Sequence, residues 1–260
     1  MNEIIEKDIE IHGNNFYYLE SGKGDPLVLL HGATTTAKTD WINHIPILMN
    51  HFQVFAPDLR GHGGSSNHPE GSLKPQALAQ DIVAFFQALD IESPLICGWS
   101  LGGQIALEIG IQFPDIPKAL IAGGVMFEPT EGFNYTLFEL FGINGPRDID
   151  FEKLSENLPV YVSSLEKNHS NWKELLNQLS VAWCDKGIFP RSNIKRIENP
   201  VLLILGDRDH TTSVEHAVQM YRMIPNSQLA IFPQATHSLP SEFVEMFCDV
   251  ILNFWNQISQ

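Results

Sequence analysis

The sequence predicts an α/β domain built on a mainly parallel sheet, with helices on both faces. Wholly apolar runs of four or five residues recur along the chain, and amphipathic helical patterns separate them. Apolar strands without alternation are typical of a sheet covered on both faces. Strands that alternate with helices favour parallel pairing through right-handed crossovers. Between about residue 127 and residue 190, aromatic-rich helical patterns replace the strands, which predicts an inserted helical cap.

The N-terminal segment predicts a hairpin, because strand patterns over 8–12 and 16–20 flank a Gly-Asn-Asn turn at 13–15. Short apolar runs predict buried strands, which lie over 27–30, 54–56, 94–97, 119–122 and 200–205, and a last strand over 229–232. Helical spacing of apolar residues predicts the core helices, which lie over 73–90, 104–110, 213–223 and 241–255. The same spacing predicts the cap helices, which lie over 135–141, 151–165 with a break at Pro159, and 172–183.

These elements divide the chain into two predicted regions. Residues 1–126 and 191–260 form the α/β core domain, and residues 127–190 form the helical cap, or lid. A chain of 260 residues buries about three quarters of its unfolded surface, which is enough for one large core.

Composition narrows the functional class. The net charge of −15 argues against nucleic acid or an anionic membrane as the main partner. The three cysteines lie far apart and show no zinc-ligand spacing, so no metal site is expected. The N-terminus does not resemble a signal peptide, and no apolar run approaches the ~20 residues that span a bilayer. We therefore expect a cytoplasmic protein.

A G-x-S-x-G motif at residues 98–102 follows a predicted strand and precedes a predicted helix. This is the context of a nucleophile elbow, in which a sharp turn exposes the hydroxyl of the serine, here Ser100. The amide of Leu101, at the helix start, has no partner within the helix and is free to face an oxyanion. Because the bare motif arises by chance in roughly one chain in ten of this length, the other catalytic parts decide the interpretation.

A base and an acid follow at the ends of later strands. A serine hydroxyl is a weak nucleophile unless a base accepts its proton, and His237, just after the last predicted strand, is the candidate base. The preceding strand ends at Asp207 and Asp209, either of which can fix the tautomer of a histidine and stabilise its imidazolium form. Open α/β sheets place their sites at the carboxyl ends of strands, where all these residues lie.

Together these motifs resemble those of α/β-hydrolase-fold enzymes, and the likeness covers nearly the whole chain. The order Ser100, Asp209, His237 matches the order of nucleophile, acid and histidine in that family. The family acid usually stands three residues after the glycine, which favours Asp209 over Asp207. Glu128, after the preceding strand, is a further alternative, because some relatives supply the acid there.

The resemblance extends to the oxyanion hole. His31 and Gly32 are similar to the oxyanion loop of the family, which implies the amides of Ala33 and Leu101 as the oxyanion donors. The elbow at 98–103 is similar to those of small carboxylesterases and of cofactor-free haloperoxidase-type relatives. Within it, Trp99 is predicted either to line the acyl pocket as a substrate-binding residue or to pack beneath the elbow.

Other polar and aromatic residues are interpreted as structural. His31 is expected to brace the oxyanion loop with a hydrogen bond, and His62 is expected to belong to a structured turn. Aromatic residues at helical spacing in the cap are interpreted as its core, namely Phe133, Phe138, Phe141 and Trp183.

The sequence therefore predicts a serine hydrolase that cleaves a small-molecule carboxylic ester through an acyl-enzyme on Ser100. No cofactor-binding motif is found, so cofactor-free chemistry is expected. Two alternative reactions use the same residues: hydrolysis of a carbon–carbon bond in a vinylogous diketone, and perhydrolysis, in which peroxide replaces water. A small-molecule receptor on the same fold is the non-enzymatic alternative.

Overall fold

The structure is a computed structural model that describes residues 3–68, 71–185 and 191–259. Its strands are β1 Ile5–Ile11, β2 Asn14–Gly22, β3 Pro26–Leu30, β4 Gln53–Pro57, β5 Leu95–Trp99, β6 Ala119–Gly123, β7 Ile143–Gly145, β8 Asp148–Ile149, β9 Val201–Gly206 and β10 Ser227–Phe232. Its helices are α1 Ala37–Trp41, α2 Ile45–Leu48, α3 Pro75–Ala88, α4 Leu101–Gln112, α5 Glu131–Tyr135, α6 Phe151–Asn157, α7 Pro159–Asn168, α8 Trp172–Trp183, α9 Arg191–Ile194, α10 Val214–Met223, α11 Leu239–Glu242 and α12 Val244–Ile258. A π-helical turn, Thr136–Leu140, continues α5.

Eight of the described strands form one sheet in the order β1-β2-β4-β3-β5-β6-β9-β10. The pairs from β4 to β10 are parallel, whereas β2 pairs antiparallel with both β1 and β4. This arrangement confirms the predicted α/β fold with a mainly parallel sheet. The six predicted strands are also confirmed, each within two residues at either end; β10 lies at the sheet edge, and Phe232 is its one buried residue.

Helices cover the sheet on both faces, which explains the wholly apolar strands. Side chains of successive strand residues point to opposite faces, so Leu27 and Leu29 join one buried cluster while Val28 and Leu30 join the other. The cluster around Val28 contains residues of α3, α4 and α10, and that around Leu27 contains residues of α1, α2 and α12. Each buried strand therefore needs apolar residues at every position.

The N-terminal hairpin forms with a different turn from the predicted one. Ile11 pairs with Asn14, so the turn consists of His12 and Gly13, with φ angles of 52° and 79°. A two-residue hairpin turn of this kind needs positive φ at both positions, because its twist matches that of the strands. The predicted turn at 13–15 was wrong by one residue at its start, and both asparagines belong to β2.

Several short elements were not predicted from the sequence. The helices α1, α2 and α9 and the small antiparallel pair β7-β8 contain too few residues to show a clear period. Pro159 separates α6 from α7 as expected, since proline occupies the first turn of α7. The single predicted helix over 241–255 is two helices, α11 and α12.

The proposed cap covers β7, β8, α5 to α8 and the π-helical turn. Buried residues of α6, α7 and α8 join the same cluster as α3 and α4, so the cap packs directly on the core. Its last five predicted residues, 186–190, lie outside the described residues. No helix in the described ranges has the length and apolar character needed to cross a bilayer.

Candidate active site

Ser100 lies at the tight junction between β5 and α4, in a strained backbone conformation. Its φ of 53° and ψ of −114° are unusual for a residue with a side chain, and its amide donates to Gly123 O at 2.7 Å. Neighbouring glycines make the turn possible: a Cβ on Gly98 would lie 2.1 Å from the carbonyl carbon and oxygen of Gly102, and one on Gly102 would lie 2.1 Å from Leu30 O. The turn therefore needs glycine at both positions.

His237 follows β10 and contacts an aspartate that follows β9. Its Nδ1 donates to Asp209 Oδ2 at 2.7 Å, and the carboxyl of Asp209 is fully buried. The other oxygen, Asp209 Oδ1, accepts hydrogen bonds from the amides of Thr211 (2.8 Å) and Thr212 (2.9 Å). Both carboxyl oxygens therefore have donors, which orients Asp209 and, through it, the imidazole ring.

The two alternative acids lie elsewhere. Asp207 Oδ1 accepts from the amide of Gln234 at 2.6 Å, so this carboxyl links two loops rather than contacting His237. Glu128 is 53% exposed, and its Oε1 lies 3.8 Å from Nε2 of His216. Of the three candidates, Asp209 is the one that the fold brings to the imidazole.

Ser100 and His237 line the same cavity, whose volume is about 450 Å³. No hydrogen bond joins the serine hydroxyl to the imidazole in the described part of the chain, and such contacts are often loose without substrate. The apolar wall of the cavity is mainly aromatic and consists of Trp99, Phe133, Leu137, Phe141 and Trp183. Its polar wall is rich in threonine and includes Thr34, Thr35, Thr39, Asp40, Thr136, Tyr161 and Thr211.

The cap aromatics therefore have mixed locations. Phe133 belongs to a buried hydrophobic cluster against which Phe141 and Trp183 pack, as the interpretation from the sequence expected, and all three also line the cavity. Phe138 is 41% exposed and belongs to neither group. The helical period that suggested a core stripe does not distinguish a core from a cavity wall, because both are apolar.

The predicted oxyanion donors lie on either side of Ser100. Ala33, in the loop after β3, and Leu101, the first residue of α4, line one small pocket together with Ser100. In the described part of the chain neither amide has a protein acceptor. Both amides are therefore unpaired among the described residues and belong to residues that border the same pocket as Ser100.

Three histidines brace the oxyanion loop. The Nδ1 of His31 donates to Gly32 O at 2.7 Å, and its Nε2 accepts from the amide of Leu59 at 2.9 Å. His62 Nε2 lies 2.7 Å from Ala33 O, and Nε2 of the cap residue His169 lies 3.1 Å from Thr34 O. Burial lowers the pKa of His31 to about 3. The expected structural roles of His31 and His62 agree with these contacts.

Trp99 combines the two roles considered for it. Its indole Nε1 donates to His237 O at 2.9 Å, and its ring centroid lies 5.9 Å from that of the histidine. It is 5% exposed and contacts the cavity with part of its ring. Trp99 therefore supports the histidine loop and also contributes to the cavity wall.

Sequence reasoning missed Asp40 and Tyr161. Asp40 Oδ2 accepts from the amide of Gly32 at 2.9 Å and from Thr35 Oγ1 at 2.7 Å, which anchors the oxyanion loop. Burial raises the pKa of Asp40, and those two hydrogen bonds and nearby His237 oppose the shift. No pattern in the sequence singles out either residue, because each acquires its position through contacts that form only in the folded protein.

Comparison with known proteins places this geometry in a family. A family model described as the alpha/beta hydrolase family matches residues 27–249. The chain belongs to the α/β-hydrolase family. Among the described residues of this family member, no cluster of three or more histidine, cysteine, aspartate or glutamate side chains has the geometry to hold a metal ion.

Relatives within the family differ in the reactions that their names describe. A 2-hydroxymuconate semialdehyde hydrolase of Pseudomonas sp. (strain CF600) is 25% identical, over 90% of this chain and 88% of the relative. A pimeloyl-[acyl-carrier protein] methyl ester esterase of Nitrosomonas europaea is 27% identical, over 87% of this chain and 96% of the relative. The family includes hydrolases of both carbon–carbon bonds and esters.

Solved structures show the same fold. A thermophilic esterase from Thermogutta terrifontis matches with a TM-score of 0.78 at 23% identity, covering 98% of this chain and 100% of the other. A 2-hydroxy-6-oxo-6-phenylhexa-2,4-dienoate hydrolase from Rhodococcus sp. strain RHA1 matches with a TM-score of 0.81 at 20% identity, over the same shares. At these identities the likeness concerns the fold alone.

Proposed function

We propose that this hydrolase cleaves carboxylic esters through an acyl-enzyme on Ser100. The observation that carries the proposal is the 2.7 Å contact between His237 and the buried carboxyl of Asp209, beside a cavity that also contains the strained Ser100. A serine on a strained turn, a histidine and an orienting acid are together the parts that acyl transfer needs.

In the proposed mechanism, His237 accepts the proton of Ser100 as its hydroxyl oxygen attacks the ester carbonyl. The Nδ1–H···Asp209 bond keeps the proton on Nδ1, which leaves Nε2 free to act as the base. The amides of Ala33 and Leu101 stabilise the oxyanion of the tetrahedral intermediate, and loss of one such donor typically costs ~3 kcal/mol. His237 then protonates the leaving alcohol, and water hydrolyses the acyl-enzyme by the same steps in reverse.

The cavity indicates a substrate of modest size. About 450 Å³ is within the range of small-molecule sites, and aromatic side chains cover much of the wall. We infer an ester with a short to medium, partly apolar acyl or alkyl group, held in a pocket that the cap helices help to enclose.

Hydrolysis of a carbon–carbon bond is the second candidate, because relatives named as hydrolases of an unsaturated semialdehyde and an unsaturated oxo acid match most of the chain. One of them is a 2-hydroxy-6-oxo-6-(2'-aminophenyl)hexa-2,4-dienoic acid hydrolase of Metapseudomonas resinovorans, 24% identical. Its substrate is an acid, whereas the described residues that line this cavity include the carboxyl of Asp40 and no lysine or arginine. That lining offers a carboxylate no cationic partner, so we favour the ester.

The test is hydrolysis of p-nitrophenyl esters from acetate to palmitate, together with labelling of the protein by a fluorophosphonate. We expect turnover and labelling that both disappear in Ser100→Ala. Ser155→Ala is the matched control, because this exposed serine of α6 bonds only to its own helix, at Phe151 O, and should leave both readouts intact.

Turnover that persists in Ser100→Ala would refute the role of the nucleophile. If Ser100 is labelled but no ester is cleaved, the carbon–carbon or peroxide reaction becomes the better assignment, and a vinylogous diketone and hydrogen peroxide with an ester are the substrates to assay next. Absence of both labelling and turnover would favour the receptor.

A further inference from the structure

Asp40 presents a carboxyl to the cavity that the proposed triad mechanism does not use. It lies in α1, directly after the oxyanion loop, and lines the cavity together with Ser100 and His237. Gly32 separates it from the nucleophile: a Cβ on that glycine would lie 3.7 Å from Asp40 Oδ2 and 3.9 Å from Ser100 Cβ. The carboxyl and the nucleophile therefore flank the same glycine.

The two oxygens of this carboxyl have different surroundings. Oδ2 accepts both hydrogen bonds of the loop anchor, from the amide of Gly32 and the hydroxyl of Thr35. Oδ1 has no hydrogen-bond donor among the described residues. It is absent from the fully buried atoms that lack a partner, so part of its surface is accessible. Because Asp40 is partly accessible and lines the cavity, we take Oδ1, the oxygen without a donor, as the one available to a ligand.

Two other hydroxyl groups of the cavity are already engaged. The hydroxyl of Thr35 donates to Asp40 itself, and that of Thr136, on the opposite cap wall, donates to Gly132 O at 2.9 Å. Among the described residues that line the cavity, Asp40 is the only acidic side chain, and lysine and arginine are absent. An accessible carboxylate oxygen on the polar wall of this cavity, whose apolar wall is mainly aromatic, is a specific partner for one hydrogen-bond donor.

We propose that Asp40 is a specificity-determining residue that selects substrates carrying an ammonium or hydroxyl group near the scissile ester, and that it disfavours substrates carrying a carboxylate there. The assignment rests on the proposed function, because it names the substrate class of the same site. Asp40 binds substrate through Oδ1 and keeps the oxyanion loop in place through Oδ2, so its two effects are separable.

The substitution Asp40→Asn separates them. The amide oxygen can take the place of Oδ2 and keep the bonds from Gly32 and Thr35, while the amide NH2 replaces Oδ1 and turns the cavity-facing acceptor into a donor. Thr35→Val is the matched control, since it removes one bond of the loop anchor and leaves the carboxyl in the cavity.

The first measurement compares p-nitrophenyl esters of equal length with a terminal amino, hydroxyl, methyl or carboxyl group. In Asp40→Asn, we expect kcat/KM to fall at least tenfold for the amino ester, to rise for the carboxyl ester and to change less than threefold for the methyl ester. Thr35→Val should lower kcat for all four esters alike. Equal changes for all four esters in Asp40→Asn would overturn the proposal and leave only the loop anchor.

The second measurement does not depend on hydrolysis. Calorimetric titration of Ser100→Ala protein with benzylamine, benzyl alcohol and benzoate should give affinities in that descending order. The order should be lost when Asp40→Asn is added to the same protein. If the affinities do not differ in the presence of Asp40, the recognition role is wrong even when ester hydrolysis is confirmed. If the order is found but no ester is cleaved, the proposed function fails and the recognition site stands.

Discussion

Replacement of Asp209 by asparagine tests the catalytic geometry most directly, because the surroundings of this carboxyl dictate how the new amide must lie. Oδ1 accepts two backbone amides, from Thr211 and Thr212, and those donors need an oxygen. The amide oxygen of asparagine will therefore occupy the Oδ1 position, and its NH2 group will face His237 Nδ1. Two donors then oppose each other, so the imidazole must change tautomer.

The tautomer change has a predictable consequence. With Nδ1 as the acceptor, the proton resides on Nε2, which can no longer accept the proton of Ser100. Serine proteases with the corresponding change lose about 10⁴ in kcat, which equals about 5 kcal/mol of transition-state stabilisation. We expect kcat for a p-nitrophenyl ester to fall by roughly 10³ to 10⁴ in Asp209→Asn, with little change in the far-ultraviolet circular dichroism spectrum.

Asp207→Asn is the matched control two residues away. Its Oδ1 accepts one amide, from Gln234, and an asparagine oxygen can keep that bond. We expect kcat within about threefold of the wild type, because no group that contacts Ser100 or His237 changes. A large loss of kcat in Asp207→Asn would refute the reasoning, as would an Asp209→Asn protein that keeps more than a tenth of the normal kcat.

Three further predictions concern stability. Gly102→Ala should lower the free energy of unfolding by more than about 3 kcal/mol in a urea titration, because the new Cβ would overlap Leu30 O. The control is Gly145→Ala, which should change the free energy of unfolding by less than about 1 kcal/mol, because nothing lies within 4 Å of the new Cβ. Equal effects of the two substitutions would contradict this explanation. The buried ring of His31 has a pKa of about 3, against 6.5 when unfolded. Its contribution to the free energy of unfolding is therefore complete above pH 6.5 and is lost as the pH falls towards 3. Urea titrations should show about 2 kcal/mol less stability from this residue at pH 5 than at pH 7, and His31→Asn should reduce that difference. The hydroxyl of Tyr161 is buried near Thr34 and forms no hydrogen bond of normal geometry among the described residues. Tyr161→Phe should therefore raise the thermal midpoint, by the equivalent of about 1 kcal/mol. A lower midpoint would show that the hydroxyl is bonded in solution, to Thr34 or to water in the cavity.

Much of the fold was predictable because it depends on local patterns. Apolar runs predicted the five buried strands β3, β4, β5, β6 and β9, since a strand covered on both faces favours apolar residues throughout. The elbow could also be predicted from the sequence, because the close approach of β5 and α4 permits only glycine at residues 98 and 102. Short elements such as α1 and β7 were missed, because a few residues do not establish a period.

Tertiary structure decided the questions that depend on how distant loops meet. Asp207 and Asp209 have the same chemistry, and only the approach of the loop after β10 to the loop after β9 brings His237 to Asp209 at 2.7 Å. Asp40 acquires its importance in the same way, because folding places α1 beside the nucleophile. The spacing of the cap aromatics could not show that three of them also line the cavity, since burial against protein and burial against substrate demand the same apolar surface. The sequence by itself determined the strands, the elbow and the order of candidate catalytic residues. The long-range contacts determined which of those side chains share the cavity, because that depends on distances in space that sequence spacing does not encode.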